Sequence, residues 1–116
     1  MNIDDIRQAF DRDGFAVVKD ILGPDRLRDL LHNVERYRTQ IAPTFPEGHE
    51  GAMYLDPTNH KTLIRMNKMH ENDAYFRTMP MAEPWLPLAE KLLGERVELV
   101  NVVYFNKPPR SVQANH

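Results

Sequence analysis

The sequence predicts an α+β fold in which helices come first and a sheet is begun but not completed. Apolar residues at helical spacing in residues 24–40 are typical of an amphipathic helix. Residues 97–107 contain five valine or leucine residues and two aromatic residues, which is the strongest strand pattern in the chain. Because Phe15–Val18 is the only other good strand candidate and two strands alone are marginally stable, we expect the rest of the sheet downstream of His116.

The first half of the chain predicts two helices around one strand. Isoleucine and phenylalanine residues recur at helical spacing before Gly14, which ends the first helix. Phe15–Val18 is short, apolar and rich in β-branched residues, so we expect a buried strand there. Pro24 suits the first position of the next helix, which we expect to run to about Gln40.

The second half begins with a long irregular segment. Periodicity disappears in residues 41–60, where prolines and glycines are frequent, and such a segment is typically functional or disordered. Residues 62–67 suggest an extended chain, and Asn72 can cap a short helix that carries two aromatic residues. Residues 84–93 predict a further helix that ends before Gly94.

Strand alternation gives the last predicted element two apolar faces. Asn101, Val103, Phe105 and Lys107 share one face, and the residues between them share the other. Because both faces carry apolar groups, we expect both to be covered.

Composition narrows the classes of function. The chain has 116 residues, a net charge of -2 and no cysteine, so it supports one domain, 1–116, without a disulfide framework or a thiolate zinc site. Its basic residues are scattered, which argues against nucleic acid or a membrane surface as a partner. No apolar run is long enough to span a bilayer, and the first residues lack signal-peptide features. We therefore expect a cytoplasmic protein.

The histidines do not form a metal motif in the sequence. None has a second histidine four residues away or a nearby cysteine, so a self-contained metal site is not expected. Phosphate-binding loops, nucleophile elbows and paired catalytic carboxylates are not visible either. The five histidines are His32, His49, His60, His70 and His116.

Four stretches in a fixed order carry a family resemblance. They are Phe10–Val18, with the sequence FDRDGFAVV; Leu22–Leu27, with LGPDRL opening a helix; Arg65–Phe76, with RMNKMHENDAYF; and Asn106–Arg110, with NKPPR. Together they resemble the phytanoyl-CoA dioxygenase family, and they span nearly the whole chain.

The resemblance implies a reaction class and a fold. Members of that family are non-haem Fe(II), 2-oxoglutarate-dependent oxygenases built on a double-stranded β-helix, a jelly roll that this chain would begin but not complete. Two histidines and a carboxylate hold their iron and leave positions open for 2-oxoglutarate and O₂. In the family a His-x-Asp motif follows the Lys-Pro-Pro segment by about eight residues. That places the first ligand just beyond His116, so we expect this chain to hold no metal ligand and to be inactive alone.

The resemblance also implies contacts to 2-oxoglutarate. Arg65 falls where some family members place a basic side chain that binds the co-substrate, Val103 falls on the central strand beside it, and Asn101 shares the face of Val103. Each has a structural alternative that stays open: a solvent-facing arginine, a core valine and a strand-end hydrogen bond.

Substrate contacts are assigned in the same way. His49, Tyr54 and His60 lie in the long irregular segment, which would form a lid over the substrate, and a solvated loop is the alternative. Lys107 would contact substrate or frame the turn at Pro108.

Two function classes compete with the oxygenase. The first is a non-catalytic α+β module whose loop binds a ligand or a partner. The second is a metal hydrolase that uses the histidines, which their spacing opposes.

Overall fold

The computed structural model describes residues 2–56 and 59–108, and it shows an α+β fold. This part of the chain contains five α-helices, three short strands and three short turns of π- or 3₁₀-helix. None of these helices combines the length and the apolar character needed to cross a membrane. The helices are α1 Ile3–Asp13, α2 Gly23–Arg36, α3 Met69–Asn72, α4 Ala74–Thr78 and α5 Trp85–Leu93; the strands are β1 Met53–Asp56, β2 Asn59–Met66 and β3 Tyr104–Phe105.

Helix α1 begins and ends as predicted. The Asn2 side chain accepts hydrogen bonds from the backbone N–H groups of Asp4 and Asp5, at 3.0 and 3.3 Å. Gly14 adopts a left-handed conformation with φ 82° and donates to the Phe10 carbonyl at 2.8 Å. The first helix and its glycine stop are therefore confirmed.

The prediction of a strand at Phe15–Val18 is wrong. These residues are not in a strand, and the Phe15 and Val17 side chains are 63% and 77% exposed. The residue types favour an extended chain, but a strand also needs a neighbouring strand to accept its hydrogen bonds. Nothing in the described part of the chain pairs with this segment.

Helix α2 is confirmed, with Pro24 in its first turn. The helical path continues beyond Arg36 through a π-turn at Tyr37–Ile41 and a 3₁₀ turn at Ala42–Thr44. Only part of the apolar stripe is covered, because Tyr37 is fully buried whereas Leu31 is 60% exposed.

The core lies between α2, β2 and the short helices after it. Its four fully buried large side chains are Tyr37, Met66, Met69 and Phe76. The rings of Tyr37 and Phe76 meet edge to face, with centroids 5.6 Å apart. Burial raises the pKa of the Tyr37 hydroxyl. This cluster supports one side of the sheet.

The short helices after β2 differ in detail from the prediction. Asn72 is the last residue of α3 and its amide donates to the Lys68 carbonyl, so the prediction that it caps the next helix is wrong. Asp73 is the residue before α4, which carries Tyr75 and Phe76 as expected. Helix α5 is confirmed and ends at Gly94, whose φ is 73°.

The segment 41–60 is more ordered than predicted. It contains the 3₁₀ turn and strand β1, and strand β2 begins at Asn59, so the prediction of one long irregular loop is wrong. β1 and β2 form an antiparallel pair with irregular register, and the extended chain expected at 62–67 is confirmed by β2.

Strand β3 is much shorter than the strand that the apolar pattern of residues 97–107 predicts. Only Tyr104–Phe105 is in a strand, paired antiparallel with Met66 and Arg65 of β2. Side-chain exposure still alternates, because 101, 103, 105 and 107 are exposed and 102, 104 and 106 are half-buried. Val100 is 85% exposed, so the expectation that both faces are covered is also wrong.

Candidate functional site

One row of side chains crosses all three strands on the side of the sheet that faces away from the core. Arg65 lies directly opposite Met53 on β1 and opposite Phe105 on β3. The neighbouring pair, Met66 and Tyr104, packs in the core. The two partners of Arg65, Met53 and Phe105, are 40% and 48% exposed, and Arg65 itself is half-buried, so this row lies on the open side of the sheet.

The Arg65 guanidinium is held at two places. Its Nε atom donates to Asn67 Oδ1 at 2.8 Å, and Asn67 is itself only 8% exposed. Its central carbon lies 4.8 Å from the centroid of the Phe105 ring, which is a cation–π contact. Among the described residues, its Nη1 and Nη2 atoms have no hydrogen-bond partner. Arg65 is therefore held in one orientation, while the N–H groups of Nη1 and Nη2 can still donate hydrogen bonds to a ligand.

Two more predicted residues lie on the same face. Val103, which is 37% exposed, and Lys107 alternate with half-buried neighbours along the segment that contains β3. Asn106 fixes the end of that segment, because its side chain donates to the Leu63 carbonyl at 2.9 Å and its backbone N–H donates to Ile64 at 2.9 Å. The structure thus brings Arg65, Val103 and Lys107 together on one exposed surface.

Asn101 makes a structural hydrogen bond. Its Oδ1 atom accepts from the backbone N–H of Lys68 at 3.1 Å. The next residue, Val102, accepts from Met69 at 3.0 Å and donates to His70 Nδ1 at 3.3 Å. These three bonds hold the segment before β3 against the start of α3, and they commit the Asn101 oxygen to the fold.

One ion pair and one further carboxylate–guanidinium interaction lie near this face. Lys68 forms an ion pair with Glu50 at 2.8 Å. This hydrogen bond is the main cause that lowers the pKa of the Glu50 carboxyl, and Arg65 adds a smaller electrostatic contribution. Among the described residues, no carboxylate is hydrogen-bonded to Arg65, although Glu50 interacts with it electrostatically.

His49 and Tyr54 line one cavity of about 190 Å³ beside this face. The His49 ring stacks on the Phe45 ring, with centroids 4.6 Å apart and planes 4° apart. His49 Nδ1 accepts a hydrogen bond from the Gly51 N–H at 2.9 Å. Met53 lines the cavity as well, and it is the residue directly opposite Arg65. The cavity and the Arg65 face are therefore neighbours.

Sequence reasoning missed Phe45, which lines this cavity, and Gly51, which lies next to it. Phe45 forms the stack with His49, and Gly51 lies so close beneath both rings that a Cβ atom there would be 2.7 Å from Phe45 Cε2 and 2.9 Å from His49 Nδ1. In the sequence, Gly51 is one of several glycines and prolines that are typical of a loop. Only the folded turn shows that its missing side chain makes room for the two rings.

Comparison with known proteins gives no match, so the function of the site is inferred from its chemistry. No protein-family model, curated protein or solved structure matches this chain. Within residues 2–56 and 59–108, no group of three or more His, Asp or Glu side chains is placed to hold a metal ion. Of the predicted substrate residues, the His60 side chain lies outside the described residues, as do all of 109–116.

Proposed function

We propose that this chain forms the co-substrate-binding wall of a non-haem Fe(II), 2-oxoglutarate-dependent oxygenase that hydroxylates a small molecule. The observation that carries the proposal is the oriented Arg65 guanidinium, whose outer nitrogen atoms lack a hydrogen-bond partner among the described residues. The ordered resemblance to the phytanoyl-CoA dioxygenase family supplies the reaction class and the expectation of a jelly-roll sheet.

The chemistry of Arg65 suits a carboxylate of 2-oxoglutarate. A guanidinium presents parallel N–H donors that match the two oxygen atoms of a carboxylate. Because Asn67 and Phe105 already restrict the side chain, little rotational freedom remains to be lost when an anion binds. Val103, two residues before Phe105, offers an apolar surface for the methylene groups of the co-substrate.

In this proposal no residue of this chain holds the iron. Bound Fe(II) together with 2-oxoglutarate would supply O₂ activation, and the resemblance implies that a His-x-Asp motif holds the iron. The task of this chain is to hold and orient the co-substrate through Arg65 and Val103. Asn101 contributes at most its amide nitrogen, because its oxygen is bonded to Lys68.

The substrate side of the proposal involves Lys107, His49, Tyr54 and His60. Lys107 lies on the Arg65 face, and His49 and Tyr54 line the cavity that adjoins it through Met53. A substrate bound in that cavity would lie next to the co-substrate, which is the arrangement that a hydroxylation requires.

A binding experiment tests the proposal at Arg65. We expect 2-oxoglutarate to bind the chain in a saturable way by isothermal titration calorimetry, and Arg65→Gln to weaken binding by about 10- to 100-fold, since charge-assisted hydrogen bonds are lost. Arg65→Lys keeps the charge but not the paired donors, so it should be intermediate. Arg28→Gln is the matched control, because Arg28 is 76% exposed on α2. Equal affinity of Arg65→Gln and the unsubstituted chain would contradict the proposal.

A second candidate function is a non-catalytic module that binds a small ligand. The cavity beside Phe45 and His49 favours this second function, because it could hold a small ligand without a metal or a co-substrate. The two functions differ in one product, because only an oxygenase releases succinate from 2-oxoglutarate.

A further inference from the structure

We infer that the cavity between Phe45 and Tyr54 is a binding site for a neutral, single-ring apolar compound that carries one hydrogen-bond acceptor. In an oxygenase this compound would be the substrate, and that extension alone rests on the proposed function. Binding itself requires only the cavity.

Three planar ring side chains line the cavity, those of Phe45, His49 and Tyr54. Phe45 and His49 form a flat stacked pair on one side, and Tyr54 of β1 lines the cavity with Met53. Ala52, which is 7% exposed, also belongs to the lining. Flat apolar walls of this kind favour a planar ring through stacking and burial.

The volume sets the size of the ligand. A cavity of about 150 Å³ is enough to hold benzene in a protein core. The volume here is about 190 Å³, which suits one ring with a small substituent. Drug-sized ligands occupy pockets of roughly 300 Å³ or more, so a two-ring compound is disfavoured.

Polar groups set the charge and the hydrogen-bond pattern of the ligand. Because His49 Nδ1 accepts from Gly51, the neutral imidazole carries its proton on Nε2, which can donate to a ligand oxygen. The lining includes the acidic residue Glu47 and, among the described residues, no lysine or arginine. A ligand anion would therefore be repelled, and a neutral acceptor such as a hydroxyl or carbonyl group is favoured.

The test titrates 4-methylphenol into the ¹⁵N-labelled chain at pH 7 and follows the backbone amides by NMR. We expect saturable shifts centred on Gly51, Ala52 and Tyr54, with a dissociation constant in about the millimolar range. The anion 4-methylbenzoate has the same ring and methyl group, and it should bind at least about fivefold more weakly.

Two variants separate the stacking from the hydrogen bond. His49→Phe keeps a ring but loses the donor, so affinity for 4-methylphenol should fall about three- to tenfold. Gly51→Ala places a Cβ atom against both rings and should abolish the saturable shifts. His32→Ala is the matched histidine control, because His32 is exposed on α2, and its affinity should equal that of the unsubstituted chain.

Three results would overturn the inference. They are no saturable shift at residues 45–54, unchanged affinity in both His49→Phe and Gly51→Ala, or binding of 4-methylbenzoate as tight as that of 4-methylphenol. None of these results bears on Arg65, because 2-oxoglutarate binding is measured in a separate titration.

Discussion

At the residue scale, the most specific polar contact in the fold joins α2 to the start of α4. The Arg36 guanidinium donates two hydrogen bonds to the Asp73 carboxylate, at 2.9 and 2.7 Å. The two side chains are 27% and 12% exposed, so water competes weakly for them. Arg36 also donates to Asn33 on its own helix, which leaves the guanidinium well ordered.

Replacing Asp73 tests the contribution of this pair to stability. Asp73→Asn removes the charge that Arg36 binds, and we expect the free energy of unfolding to fall by about 1.5–3 kcal/mol. Urea denaturation followed by circular dichroism measures the change. Asp25→Asn is the control, since Asp25 pairs with Arg28 but is 94% exposed, and it should change stability by less than about 0.5 kcal/mol. Equal effects of the two substitutions would contradict this account.

The same pair predicts a pH dependence. The hydrogen bonds from Arg36 are the main cause that holds the pKa of Asp73 below its ordinary value of 3.8. Because the folded-state pKa is depressed, the carboxylate stabilises the fold above the unfolded-state pKa, and this contribution is lost as the pH falls through the folded-state pKa. We expect the unsubstituted chain to lose stability below about pH 4. Asp73→Asn should lack this component in denaturation curves recorded between pH 2 and 7.

At the element scale, the longer helices could be predicted from the sequence, whereas of the strands only the extended chain at 62–67 could. Helices α1, α2 and α5 satisfy their backbone groups internally, and their caps are local residues such as Asn2 and Gly94, so the pattern is sufficient. A strand depends on a partner elsewhere in the chain. Phe15–Val18 and most of 97–107 have the residue types of strands but no partner strand in the described residues. Some of their apolar side chains, such as Phe15 and Val100, stay exposed.

Part of the candidate site could be predicted from the sequence and part could not. Alternation predicted that Val103, Phe105 and Lys107 share one face, and their exposure agrees. That Arg65 lies opposite Phe105 could not be predicted, because it depends on the pairing of β2 with β3. The Phe45–His49 stack could not, because it depends on a turn in which Gly51 approaches both rings. Close packing of that kind leaves no periodic pattern in a sequence.

The segment before β3 offers a test at this scale. Asn101→Ala removes the acceptor for the Lys68 N–H, which then lacks its side-chain partner. We expect a loss of about 1 kcal/mol in stability and faster hydrogen exchange at the amides of Lys68 and Met69. Val100→Ala is the control, because Val100 is 85% exposed in the same segment. Unchanged exchange at Lys68 in Asn101→Ala would show that this hydrogen bond does not hold the segment.

At the scale of the whole molecule, the fold is extended for its length. Its radius of gyration is 16.4 Å, whereas a compact domain of this size has about 13 Å. Several large apolar side chains are more than half exposed, among them Phe15, Val17 and Val100. The buried cluster around Tyr37 and Phe76 therefore carries a large share of a small total stability.

The central proposal is that this chain acts in an Fe(II), 2-oxoglutarate-dependent oxygenase and that Arg65 orients the co-substrate. The most direct measurement is succinate release from 2-oxoglutarate by the complete gene product that contains this chain, with and without Fe(II). We predict Fe(II)-dependent succinate formation, and for Arg65→Gln a KM for 2-oxoglutarate raised about tenfold or more. Fe(II)-dependent succinate formation that is unaffected by Arg65→Gln would contradict the role of Arg65, and its complete absence would contradict the oxygenase itself.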